Sequence, residues 1–146
     1  MIPLIVLAAA FLIFRATGWL GLAFFADNIT CLRFALAAMF LLTASAHWGK
    51  RRPDLVRMVP PAFPAPEALV TVTGILEVLG LIGLMLHATS HAAAICLAIL
   101  LLALFPANAY AARHHLRIGG RPVLPLVPRL LLQMVFLACL IAVARA

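Results

Sequence analysis

Five long apolar segments constrain the fold of this chain more than any other feature. A helix needs about 20 residues to cross the roughly 30 Å hydrocarbon core of a bilayer, and each segment comes close to that length. The first is an N-terminal segment, and the other four are predicted helices A to D. Their approximate bounds are residues 2–25, 29–48, 67–86, 90–111 and 128–143.

Two residues inside these segments predict local departures from a plain apolar helix. Arg15 places a charge near the middle of the N-terminal segment. Pro106 lies inside helix C, where it lacks the N–H of a regular helical bond and should kink the helix. The kink is expected to free a backbone carbonyl near Leu102.

The composition indicates an all-α membrane protein. Hydrophobic residues make up 66% of the chain and charged residues 10%, and the mean hydropathy is +1.18. A soluble domain is about half apolar and about a quarter charged. The apolar runs lack the roughly ten-residue alternation of a transmembrane barrel, so a helical bundle is predicted. No basic residue precedes the first apolar run, which favours a retained segment over a cleaved signal peptide.

The excess of positive charge predicts the orientation in the membrane. The formal net charge is +7, and eight of the eleven basic residues fall in two connections, 49–66 and 113–129. The short turns at 27–30 and 87–90 carry none. By the positive-inside rule, both basic connections are cytoplasmic, in an inner membrane crossed several times. Attraction to anionic headgroups accounts for the charge, so no nucleic-acid partner is expected.

Glu77 is a carboxylate in the middle of helix B. A charge at the bilayer centre costs about 2.5–3.5 kcal/mol on insertion scales, so it is usually paired or functional. Val70, Thr73, Gly80 and Leu84 share its helix face by their spacing of three or four residues.

Depth in the membrane selects an arginine as the partner of Glu77. Arg33, near the outer end of helix A, and Arg15, in the N-terminal segment, are the two candidates. The pair could fix helix register, or it could handle a proton or ligand, and Glu77 could also stand unpaired.

A second polar cluster is predicted toward the inner leaflet. It comprises His47 at the end of helix A, Asn108 late in helix C and Gln133 early in helix D. Such side chains form hydrogen bonds between transmembrane helices. The cluster could serve as interhelical contacts, or it could line a cytoplasm-facing pocket for a polar headgroup or a cofactor ring.

The cysteines raise a redox hypothesis. With this topology, Cys31, Cys96 and Cys139 all fall in the outer half of the bundle, where thiols could exchange electrons with a quinone. No CxxC pair is present, and single cysteines in membrane helices also serve as small packing residues.

No metal site or catalytic constellation is predicted. His87 and His91 have the spacing of two ligands on one helix face, but no third ligand lies near them. The chain has no Walker loop, no GxSxG and no HExxH.

Four motifs in order along the chain resemble those of DoxX-like membrane proteins. They are "FLLTASAHWGKRRPDLVRMVPPAFPAP", "TGILEVLGLIGLML", "ALFPANAYAARH" and "RLLLQMVFLACLIA", which lie between about residues 33 and 142. The resemblance implies a four-helix transmembrane bundle over residues 27–146, preceded by an N-terminal hydrophobic helix over 1–26 that spans the membrane or lies at its interface. The polar positions that match the family are Arg33, His47, Glu77, Asn108 and Gln133.

The resemblance and the residues together predict a non-catalytic accessory or ligand-binding component of a membrane assembly, such as a redox or respiratory one. Its expected partners are the lipid bilayer and either another membrane protein or further copies of the chain. The first alternative is a quinone-linked oxidoreductase subunit that uses the outer cysteines, with quinone as its cofactor. The second is a carrier of a small solute or of protons that uses Glu77.

Overall fold

The computed structural model describes all 146 residues, and 75% of them are helical. A short 3-10 helix at Ala23–Phe25 follows the first α-helix, and two strands of two residues form a small hairpin. The elements are α1 (Ile2–Trp19), α2 (Asn28–Ser45), α3 (Arg52–Met58), α4 (Pro66–Met85), α5 (Ser90–Ala103), α6 (Phe105–Arg113), β1 (Arg117–Ile118), β2 (Arg121–Pro122) and α7 (Leu126–Arg145).

Five helical stretches are long and apolar enough to cross a membrane. They are α1, α2, α4, α5 together with α6, and α7, and their mean hydropathies range from 1.5 to 2.3. The prediction of an all-α chain whose helices are long and apolar enough to span a membrane is therefore confirmed. The short helix α3, inside the first basic connection, was not predicted.

The four later helical stretches pack in sequence around one apolar core. Helix α2 contacts α4, α4 contacts α5, α5 contacts α7, and α7 returns to α2, whereas α1 packs on α2. The most deeply buried large side chains come from all four of these stretches: Leu36, Met39, Phe40, Leu84, Leu97 and Leu140.

Glycines on α4 allow its neighbours to approach closely. A Cβ atom at Gly80 would clash with the side chain of Leu97, and one at Gly83 would lie 2.7 Å from the Cβ of Ala93. Small residues are used in this way at helix contacts in membranes, where backbone proximity increases van der Waals contact. The packing of α4 against α5 therefore depends on these two glycines.

The interruption predicted at Pro106 is present. Helix α5 ends at Ala103, α6 begins at Phe105, and the proline occupies the first turn of α6, where its missing N–H costs nothing. The carbonyl of Leu101 beside the break accepts a hydrogen bond from Gln133 Nε2 at 3.1 Å. Helix α7 therefore satisfies a carbonyl at the break.

The two basic connections meet at one end of the helices. The backbone N–H of Gly119, in the hairpin, donates to Asp54 Oδ2 at 2.7 Å, and Arg57 pairs with the other oxygen of that carboxylate. Gly119 and Gly120 have φ values of +58° and +76°, as a tight hairpin turn requires at both central residues. Asp54 therefore joins α3 to the hairpin.

Acidification is expected to separate these two connections. The hydrogen bond from Gly119 and the neighbouring Arg57 guanidinium hold the pKa of Asp54 below its ordinary value. The stabilisation by the carboxylate is therefore fully present above the ordinary pKa and is lost as the pH falls through the lowered one. The Gly119 amide should lose its protection from hydrogen exchange, measured against the intrinsic rate at each pH, over that range, and Asp54→Ala should remove the protection at neutral pH. Equal exchange in Asp54→Ala and in the control Glu67→Ala would contradict the contact.

Candidate functional site

Glu77 lies at the contact between α4 and α2. Val70, Gly74 and Glu77 follow one another at spacings of four and three residues, and all three are buried. The glutamate is only 5% exposed. The sequence prediction that this face of the helix points inward is confirmed, with Gly74 in the place that was expected for Thr73. Thr73 is half-buried, and its hydroxyl donates to the Leu69 carbonyl of its own helix.

Two side chains near the end of α2 meet the carboxylate. Thr43 Oγ1 lies 2.7 Å from Glu77 Oε2, and His47 Nε2 lies 3.6 Å from Oε1. Thr43 and His47 are four residues apart, so they face α4 together. The contact of Thr43 with Glu77 is a hydrogen bond, and that of His47 with Glu77 is at the distance of a charge pair. Each oxygen of the buried carboxylate therefore has its own partner.

His47 is seated against the backbone of α4 at Gly74. A Cβ atom at that glycine would lie 2.7 Å from the His47 Cβ and 2.8 Å from its Cγ, so only glycine leaves room for the ring. The other ring nitrogen, Nδ1, lies 2.6 Å from the Val70 carbonyl oxygen. The imidazole therefore bridges the Val70 backbone and the Glu77 carboxylate.

The predicted ion pair between Glu77 and an arginine is wrong. Arg33 Nε donates to the Leu84 carbonyl at 2.9 Å, and its Nη2 donates to the Met85 carbonyl at 3.2 Å. The last carbonyls of a helix lack internal donors and carry partial negative charge, which makes them good acceptors for a guanidinium. Leu84 is also about 10 Å further along α4 than Glu77. Arg33 therefore binds the end of the helix.

Arg15 likewise binds backbone carbonyls. Its Nη1 donates to the Ala26 carbonyl at 3.0 Å and more weakly to the Phe25 carbonyl at 3.4 Å. The guanidinium also lies over the Trp19 ring, 5.1 Å from its centroid, as in a cation–π contact. Arg15 therefore holds the turn between α1 and α2.

The second predicted polar cluster is divided between two places. His47 belongs to the Glu77 site, and no hydrogen bond joins it to Asn108 or Gln133. Gln133 binds the Leu101 carbonyl from α7, and its Oε1 is buried without a partner. The Asn108 carbonyl accepts from Arg129 Nη1 at 3.1 Å. Gln133 therefore belongs to the contact between α5 and α7, and Asn108 belongs to the contact between α6 and α7.

Arg52, which the sequence did not single out, anchors the first basic connection beside this site. Its Nη1 donates to the His47 carbonyl at 2.9 Å, and its Nη2 donates to Thr71 Oγ1 at 2.9 Å. Thr43 was missed as well, although its spacing of four residues from His47 puts both on one helix face. Helix α3 is therefore tied to the residue that meets Glu77.

The cysteines lie in different environments. Cys31 is buried and donates to the Phe25 carbonyl at 3.3 Å, Cys96 is exposed on α5, and Cys139 is half-buried on α7. All three are free thiols. No group of three histidine, cysteine, aspartate or glutamate side chains is placed to hold a metal ion, and His87 and His91 are both exposed.

Two of the concave regions on the surface lie beside residues described above. A groove of about 740 Å³ between α1, α2 and α7 is mostly apolar, with Arg15 and Asn28 among its lining residues, and it includes Cys139. A smaller cleft of about 310 Å³ lies beside α3 and is lined by Arg52, Arg57 and Glu67. The Glu77 carboxylate opens into neither.

Comparison with known families places most of this architecture in one domain. The domain of unknown function DUF8561 matches residues 36–144. The chain belongs to the DUF8561 family. The DUF8561 region includes His47, Glu77, Asn108 and Gln133, whereas Arg15, Cys31 and Arg33 precede it. No curated protein and no solved structure matches the chain.

Proposed function

We propose that this DUF8561 protein is a small, non-catalytic inner-membrane component that serves an accessory or ligand-binding role in a membrane assembly, such as a redox or respiratory one. In this proposal α2, α4, α5 with α6, and α7 form a four-helix bundle like that of DoxX-like proteins, and α1 is an additional helix beside it.

The observation that carries the accessory role is the use made of the buried polar side chains. Arg33, Glu77 and Gln133 each bond to a helix other than their own, and His47, just beyond the end of α2, bonds to α4. Such bonds fix helix positions, as interhelical hydrogen bonds do in membranes. A rigid bundle that presents its outer faces to lipid and to other proteins is what an accessory subunit requires.

The contact between Asp54 and Gly119 supports the proposed topology. It brings connections 49–66 and 113–129 to the same end of the bundle. Both are basic, so the positive-inside rule places that end in the cytoplasm, with the N-terminus inside and the C-terminus outside.

The groove between α1, α2 and α7 supports a ligand-binding role. Its apolar walls suit an acyl or isoprenoid chain, and Arg15 and Asn28 offer polar groups to a headgroup or a quinone ring. A membrane lipid and a quinone are the two ligand classes that share this chemistry.

Purification in mild detergent, followed by mass spectrometry of what remains bound, tests this role. We expect co-purified membrane-protein subunits, a bound lipid or quinone, or both. Ala8→Trp, which fills the groove, should remove the small molecule and leave protein partners in place. Its matched control is Ala92→Trp, at an exposed position on α5 away from the groove. A protein that carries neither partner nor ligand would contradict the proposal.

A quinone-linked oxidoreductase subunit is the second candidate function. Cys139 lines the apolar groove, which places a thiol beside the site that could hold a quinone. Replacement of all three cysteines with serine should then abolish quinone reduction while assembly is retained. Unchanged electron transfer in that variant would remove this candidate.

A proton or small-solute carrier is the third. Its support is the pairing of a buried carboxylate with a buried imidazole, Glu77 with His47. Glu77→Gln should stop transport in reconstituted vesicles while the protein remains folded. Transport at the native rate in that variant would exclude a carrier that uses Glu77.

A further inference from the structure

The position of His47 determines which of its ring nitrogens carries a proton. Nδ1 lies 2.6 Å from the Val70 carbonyl oxygen, and a carbonyl oxygen can only accept a hydrogen bond. Nδ1 must therefore be the donor. A neutral His47 in this geometry has its hydrogen on Nδ1 and a bare lone pair on Nε2.

That lone pair faces the Glu77 carboxyl group. Nε2 lies 3.6 Å from Oε1, and the other carboxyl oxygen is engaged by Thr43. If the imidazole were neutral and the carboxylate ionised, two electron-rich atoms would face each other and the pair would carry one negative charge inside the bundle. A single added proton removes both penalties. It can reside on Nε2, as an imidazolium–carboxylate pair, or on Glu77, as a neutral pair, and both forms have zero net charge.

The other groups near the pair do not supply the positive charge that the added proton brings. Arg52 of α3 is the nearby cation. Its charge opposes a proton on His47, and its guanidinium is bound to the His47 carbonyl and to Thr71 instead of to Glu77. The nearby hydroxyl is that of Thr43 on α2. The other acidic side chain of α4, Glu67, is exposed to solvent. No second acid lies beside Glu77 to compete for the proton.

We infer that His47 and Glu77 form a buried proton-binding site, in which one proton is shared between α2 and α4 and holds the imidazole in place against Gly74. The site goes beyond the accessory role, since it assigns a ligand, a proton, to residues inside the bundle. Loss of the proton sets Nε2 against the carboxylate and loosens the attachment of His47. Because Arg52 binds the His47 carbonyl, the connection that contains α3 shares the effect.

The composition of the chain makes the proton directly measurable. There are two glutamates, Glu67 and Glu77, and His47 is the one buried histidine of five. We would label histidine with ¹⁵N and glutamate with ¹³C at Cδ and record NMR spectra of the protein in lipid nanodiscs across neutral pH. The exposed histidines and Glu67 provide internal references, and loss of a signal in His47→Gln and in Glu77→Gln gives the assignments.

Across neutral pH we expect His47 to keep its hydrogen on Nδ1. We also expect one further proton on the pair, seen either at His47 Nε2 or as a protonated Glu77 carboxyl. In Glu77→Gln the pair should lose that proton and leave a neutral His47, whereas Glu67→Gln should leave it unchanged. A neutral His47 beside an ionised Glu77 at neutral pH, or a His47 with its hydrogen on Nε2 alone, would overturn the inference. The native protein reports both results, and the variants serve to assign its signals.

Discussion

Replacement of Gly74 with alanine is expected to destabilise the protein, although the same change usually stabilises a helix by about 1 kcal/mol. The new Cβ would lie 2.7 Å from the His47 Cβ, closer than packed carbon atoms can approach. The His47 side chain must then move away from α4, which removes its contacts with Val70 and Glu77. We expect a net loss of about 2 kcal/mol for alanine, from overpacking and broken contacts, and a larger loss for leucine.

Unfolding of the purified protein in detergent, followed by circular dichroism against denaturant, measures this effect. Ala68→Leu, at an exposed position on the same helix, is the matched control for Gly74→Leu and should change stability little. A Gly74→Ala change that stabilised the protein, as it does at an unconstrained helical glycine, would contradict the packing of His47 against Gly74.

Glu77→Ala is expected to cost about 3 kcal/mol of stability. Removal of one partner of a buried pair costs about 3–5 kcal/mol where the other charge is left uncompensated, and His47 can reduce that cost by releasing its proton. Thr43 also loses its acceptor. His47→Ala should cost a similar amount because Glu77 then loses the imidazole with which it shares a proton.

A double-mutant cycle separates the pair from its surroundings. If His47 and Glu77 interact, the double variant should lose less than the sum of the two single losses, by about 1–3 kcal/mol. Glu67→Ala is the matched control, since its carboxylate is exposed at the start of α4. Additive losses in the double variant, or equal losses in Glu77→Ala and Glu67→Ala, would show that the contact contributes nothing.

The sequence predicted the inward face of α4 because a carboxylate in an apolar helix must turn away from lipid. It did not predict the partner. The sequence of an apolar helix says little about how the helix is rotated about its own axis. The argument from depth in the membrane also considered carboxylates as the only partners of the arginines. Arg33 binds carbonyls at the end of a helix, and Arg15 binds carbonyls in a turn. Which backbone carbonyls are free to accept a bond cannot be read from the side chains.

Local chemistry was more predictable where backbone constraints dominate. Pro106 predicted the break between α5 and α6, because a proline cannot donate the helical hydrogen bond. Helix α3 and the hairpin at 117–122 were missed, since both are short and depend on tertiary contacts. Asp54 joins the two elements to each other, and Arg52 joins α3 to His47 and Thr71. The separation of Asn108 and Gln133 from His47 could not be foreseen either, because it follows from which helices are neighbours.

Disulfide cross-linking tests most directly the central claim that α4 meets His47, and not an arginine, beside Glu77. In a variant whose three native cysteines are serine, His47→Cys with Gly74→Cys brings two Cβ atoms into contact, and a small shift reaches the roughly 3.5–4.5 Å of a disulfide. The comparison pair is Arg33→Cys with Glu77→Cys. We predict that mild oxidation in membranes links positions 47 and 74 and leaves 33 and 77 unlinked. A link between 33 and 77 without one between 47 and 74 would contradict this account.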